Sequence, residues 1–158
     1  MRLGVSAAVV YGAIVRGDLE VADGVVVAAG LAGPGSGLAI PGLVDLQVNG
    51  YAGIDVHRAE PGELVELGRA LARDGVLWYQ PTLISAAADD LREALSTIGS
   101  ATRLDGPARI LGAHLEGPFL SPARCGAHEP LHLRRPDLDL AASFLLAGCP
   151  VTTVTLAP

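Results

Sequence analysis

The sequence predicts an α/β fold: short β-strands first, then the opening strands and helices of a parallel (β/α) barrel. Apolar runs of strand length begin near residues 43, 76, 110 and 151, and segments of helical periodicity fill the intervals. That alternation builds a parallel sheet with right-handed crossovers. Polar residues gather toward the ends of several runs: Gln47 and Asn49, then Pro81 and Thr82, then Glu116. A doubly wound sheet shares the alternation, but a barrel assembles its site from the ends of several strands. The sequence also lacks the Gly-x-Gly-x-x-Gly turn of a dinucleotide site.

Residues 1–40 read as strands over Ala8–Val15 and Val25–Ala29, with turn signals at Arg16-Gly17-Asp18 and Asp23-Gly24. So few strands cannot bury a face alone. The Gly/Pro/Ser cluster Gly33–Gly37 marks a loop or boundary before the second segment, residues 41–158. There the strands are Leu43–Val48, Val76–Tyr79, Ile110–Leu115 and Val151–Leu156. A helix over Pro61–Arg73 has proline in its first turn, Leu64, Leu67 and Leu71 on one face, and Asp74-Gly75 at its end. A second, Ala87–Leu104, carries Leu91, Leu95 and Ile98 at helical spacing, and a third, Pro136–Ala147, is closed by Gly148. A complete barrel takes roughly 250 residues, so this segment amounts to about half of one.

Half of the residues are hydrophobic, which excludes global disorder. The net charge is −6, and all eleven basic residues are scattered arginines, so no basic stripe points to nucleic acid. Cys125 and Cys149 are too few and too far apart for a disulfide scaffold or a cysteine zinc site, and read as reduced thiols of a cytoplasmic protein. Tyr11, Arg16 and Asp18 interrupt the apolar N-terminus before a signal sequence forms, and no run reaches the ~20 apolar residues of a spanning helix. The expectation is a soluble protein with no membrane partner.

Chemistry concentrates in His114-Leu115-Glu116-Gly117-Pro118-Phe119, followed by Gly126-Ala127-His128. Glu116 is expected at the end of its strand, with Pro118 stopping the ladder. A carboxylate there can bind a divalent cation or accept a proton; the plainer alternative is a capping or solvated glutamate. His114 shares strand parity with Glu116 and so faces the same way; a hydrogen-bonded core role is preferred to ligation. His128 is better placed to donate to a ligand oxygen. His57 and His132 read as surface residues. Gln47 and Asn49, two apart, both face inward, where paired histidines would signal a metal; as amides they read as hydrogen-bonding groups.

The stretches Pro41-Gly42-Leu43-Val44-Asp45-Leu46-Gln47-Val48-Asn49-Gly50, Gln80-Pro81-Thr82-Leu83-Ile84-Ser85 and 114–128 together resemble N-acetylglucosamine-6-phosphate deacetylase, of the amidohydrolase superfamily. The resemblance covers essentially the whole chain but only the N-terminal part of the family's length. It implies a (β/α)8 TIM barrel plus a small β-sandwich, to which the strands of residues 1–40 would belong. It implies removal of acetate from N-acetylglucosamine 6-phosphate with one divalent metal ion, zinc first among the candidates, in an enzyme that assembles as a homo-oligomer. By motif, Glu116 corresponds to a metal ligand, and Ala127 and His128 to substrate contacts. Gln47 and Asn49 stand where other superfamily members have His-x-His, as in the family's one-metal branch. The family's remaining ligands and its acid/base lie on later strands, so these residues alone are expected to form an inactive portion of the enzyme. The rival expectations are a non-catalytic half-barrel acting by self-association or partner binding, and a deacetylase of another N-acetylated amino sugar.

Overall fold

The computed structural model describes residues 1–157, which divide into two compact units, 1–42 and 43–157. The first unit is all β. Strand β1 (Ala7–Val10) pairs antiparallel with β2 (Ala13–Arg16), and β3 (Asp18–Ala22) pairs antiparallel with β4 (Val25–Leu31). A short β5 (Leu38–Ala39) runs parallel to β1. The single strand expected over Ala8–Val15 is thus a hairpin. Tyr11 and Gly12 both have positive φ (48° and 78°), the backbone a two-residue hairpin turn demands. Strand β3 was hidden in the sequence because its Asp18 and Glu20 mask a strand pattern. Asp18 is buried, and its Oδ1 accepts the N–H groups of Val5 (3.1 Å) and Leu19 (2.8 Å).

The second unit is α/β. Its main sheet is parallel: β6 (Leu43–Val48), β9 (Val76–Ile84), β11 (Ala113–Leu120) and β12 (Val151–Ala157) lie side by side in that order. A two-residue β10 (Arg109–Ile110) also pairs with β9, and a small antiparallel pair, β7 (Gly50–Tyr51) with β8 (Ile54–Asp55), follows β6. The helices are α1 (Pro61–Arg73), α2 (Ala88–Ala101) and α3 (Leu138–Leu145). The first two match their expected leucine faces: Leu64, Leu67 and Leu71 of α1 and Leu91, Leu95 and Ile98 of α2 are buried in one core with Tyr79, Leu83 and Leu115. Helix α3 starts at Leu138 rather than Pro136, because Asp137 caps it, Oδ1 accepting the N–H groups of Asp139 and Leu140 at 3.0 Å.

Residues along a strand alternate between faces. Tyr79, Leu83, Ala113 and Leu115 enter the helix-covered core, so Gln80, Thr82, His114 and Glu116 line the opposite, polar face. Two strands run further than expected. Strand β9 continues through Pro81, where the β6–β9 register shifts and the Thr82 hydroxyl takes the Val48 N–H (3.1 Å). Strand β11 likewise continues past Pro118. Glu116 pairs with Thr155 and Leu120 with Ala157, so Gly117-Pro118-Phe119 stand opposite Leu156 alone. Pro118 therefore does not stop the ladder; the motif is absorbed as a bulge, a device that re-aims neighbouring side chains.

Candidate active site

The polar face of the parallel sheet carries a hydrogen-bonded ladder. Gln80 of β9 donates from Nε2 to Thr152 Oγ1 (2.5 Å) and accepts the Thr153 hydroxyl (3.1 Å). His114 of β11 is buried, with Nδ1 3.3 Å from Thr82 Oγ1 and Nε2 2.8 Å from Thr155 Oγ1. Both ring nitrogens are thereby occupied by the flanking strands. That arrangement suits a core histidine that fastens β9, β11 and β12 together.

One step further along β11, Glu116 is partly exposed. Its Oε2 accepts Gln47 Nε2 at 3.0 Å, and its Oε1 lies 3.8 Å from His128 Nε2. The fold thus gathers Gln47, Glu116 and His128 from three separate segments. His128 is buried in the loop after the Pro122–Arg124 turn, where Ser85 holds it: the Ser85 N–H donates to Nδ1 (3.2 Å), and Ser85 Oγ is 2.9 Å from the same atom. Asn49 does not join Gln47 at the carboxylate. Strand β6 ends at Val48, and Asn49 Nδ2 donates to the Thr82 carbonyl instead (3.4 Å).

Beside this cluster lies an open cavity of about 640 Å³, lined among others by Asn49, His57, Thr82, Ser85 and Ala127. Glu116 and His128 do not line it. His57, assigned nothing from sequence, faces it with a buried Nδ1 that has no hydrogen-bond partner among the described residues. Of the other loop histidines, His132 lies 3.8 Å from Glu129. Sequence reading also passed over Ser85. Only the extension of β9 to Ile84, past the Tyr79 at which the sequence ends the strand, places Ser85 at its end.

Chemically, the cluster offers one carboxylate, one amide donor and one imidazole. As a metal site it is incomplete, since no group of three or more His, Cys, Asp or Glu among the described residues is placed to hold an ion. About three protein ligands are usual for a catalytic zinc. Glu116 could supply one such ligand, but no such set stands around it among the described residues.

No protein-family model matches the chain. Among curated proteins it is 33% identical over 148 residues to an N-acetylgalactosamine-6-phosphate deacetylase of Escherichia coli O157:H7, covering 89% of this chain and 39% of that protein. It is 36% identical over 132 residues to the N-acetylglucosamine-6-phosphate deacetylase of Homo sapiens, covering 78% of this chain and 32% of that protein. Among solved structures, a variant of the N-acetyl-D-glucosamine-6-phosphate deacetylase of Mycobacterium smegmatis, in complex with N-acetyl-D-glucosamine-6-phosphate, superposes with a TM-score of 0.84 at 34% identity. That match covers 100% of this chain and 43% of the other. The chain thus spans less than half the length of each of these proteins.

Proposed function

We propose, from the correspondence of this chain in sequence and fold to the N-terminal part of the N-acetylglucosamine-6-phosphate deacetylases, that it serves hydrolysis of the acetamide of an N-acetylated amino-sugar phosphate. The preferred substrate is N-acetylglucosamine 6-phosphate, and the products are glucosamine 6-phosphate and acetate. In this reading residues 41–158 are the first half of a (β/α)8 barrel and residues 1–40 supply strands of a small β-sandwich. Parallel strands that carry polar side chains on one face and helices on the other support it.

The observation that carries the proposal is the convergence of Gln47, near the end of β6, Glu116, midway along β11, and His128 of the loop beyond. Glu116 is one ligand of a single divalent ion, zinc first among the candidates, and Gln47 fixes the carboxylate that would contribute it. His128, with Nε2 on the Glu116 side, donates to an oxygen of the substrate, while Ala127 lines the approach. The water-activating set and the acid that protonates the leaving amine are supplied by other segments. On this reading residues 1–158 alone do not catalyse.

The N-acetylgalactosamine-6-phosphate deacetylase of Escherichia coli, alignable over 89% of this chain, favours a second reading in which the sugar differs at C4. Acetate release by the native protein from both sugar phosphates separates the two. A higher kcat/KM for the glucosamine derivative supports the first reading, the reverse supports the second, and release from neither overturns both. Release of acetate by the isolated 158-residue polypeptide with added zinc would overturn the claim that these residues are insufficient.

A further inference from the structure

Ser85 and His128 are both buried, and the contacts between them fix a protonation state that the sequence does not reveal. The Ser85 backbone N–H is directed at His128 Nδ1 (3.2 Å). A nitrogen that accepts an N–H cannot itself carry a proton, so the proton of the neutral ring belongs on Nε2. The Ser85 hydroxyl, 2.9 Å from Nδ1, can donate to the same nitrogen. Nε2, thereby left as a donor, is the nitrogen 3.8 Å from Glu116 Oε1.

A second observation meets the same hydroxyl from the other side. Gly117, next to Glu116, has φ +88°, and a Cβ built on it would lie 2.3 Å from Ser85 Oγ. The glycine of the His-Leu-Glu-Gly-Pro stretch thus leaves the space that the Ser85 side chain fills. Any larger residue there would displace the hydroxyl from His128 as well as strain the backbone.

We infer that Ser85 is a positioning residue: its amide and hydroxyl together hold His128 as the neutral Nε2–H tautomer, a directed donor on the Glu116 side, and Gly117 makes room for it. The consequence for turnover rests on the role proposed for His128; the tautomer does not.

The test is nitrogen NMR on the native protein with ¹⁵N-labelled histidine, at a pH where the imidazoles are neutral. The expected spectrum shows His128 Nδ1 unprotonated and Nε2 protonated. Ser85→Ala keeps the amide but removes the hydroxyl, so the tautomer preference falls about fivefold, the worth of one ordinary hydrogen bond. Ser85→Thr restores it. An Nδ1–H ring in the unaltered protein, which needs no variant to fold, overturns the inference, as does a preference unchanged by Ser85→Ala. In the acetate-release assay Ser85→Ala lowers kcat with KM nearly constant, and Ser85→Thr recovers it. A native protein inactive on both sugar phosphates, yet showing the expected tautomer, would sink the proposed function and leave the positioning role standing.

Discussion

Gln47 Nε2 donates to Glu116 Oε2 at 3.0 Å and so joins β6 to β11, two strands that are not neighbours in the sheet but flank β9. A neutral amide orients the carboxylate there without adding a charge to the site. Bonds to ionised groups are the stronger ones, but this pair is partly open to water, which weakens it. We expect a double-mutant cycle of Gln47→Ala and Glu116→Ala, read by urea denaturation of the native protein, to give a coupling of about 1 kcal/mol. A coupling indistinguishable from zero would mean that Gln47 does not hold the carboxylate.

Asp18 provides a pH signature in the first unit. Burial pushes its carboxyl up, but the backbone N–H groups of Val5, Leu19 and Gly4 and the charge of Arg2 pull harder, and the net effect holds it below the ordinary carboxyl value of 3.8. A carboxyl with a depressed folded pKa binds protons less readily than in the unfolded chain. Its contribution to stability is therefore present above the unfolded value and lost as pH falls through the folded one. Asp18→Asn should be less stable at neutral pH and should lose stability less steeply on acidification below pH 3.8. Parallel acid profiles for the two proteins would show that the carboxylate is not the cause.

Glu116 is the one carboxylate of its cluster, and among the described residues no group of three or more His, Cys, Asp or Glu is placed to hold an ion. Equilibrium dialysis of the isolated 158-residue polypeptide against zinc should retain no stoichiometric ion, with or without Glu116→Gln. One ion per chain, lost on that substitution, would show that these residues suffice to hold it.

The long periodic elements were legible because burial repeats with their geometry. Leucines at positions 64, 67 and 71 can share only a helix face, and α1 runs Pro61–Arg73 as the spacing predicts. The ends of strands were not legible, since irregular ladders set them. Pro81 and Pro118 look like stops, yet both sit within strands where the register shifts and, at Pro81, a threonine hydroxyl replaces a ladder bond. The candidate site's cluster was legible where a residue type is costly at its position, as with Glu116, which the fold brings beside Gln47 and His128. It was illegible where ordinary residues act through a partner distant in sequence. Ser85 and His128 are 43 residues apart, and no local pattern connects them. Asn49 shows the limit of parity: two residues from Gln47, it lies beyond the end of β6 and turns to the Thr82 carbonyl.

The packing of α2 against the segment before β12 gives a contrast between two glycines. A Cβ on Gly99 would lie 2.2 Å from the Gly148 carbonyl oxygen, a backbone atom that cannot swing aside. Gly62, in the first turn of α1, has open space around its Cβ position. Alanine is the better helix former at either site by roughly 1 kcal/mol if nothing else intervenes. At Gly62 that preference should survive, raising stability by about 0.5 kcal/mol. At Gly99 the clash forces the helix away from the Gly148 turn, and overpacking of this kind costs about 1–3 kcal/mol, enough to reverse the sign. Urea midpoints of the two variants decide it. A stabilising Gly99→Ala would mean that α2 does not approach the Gly148 backbone this closely, and with it would go the close fit that seats β12 beside β11.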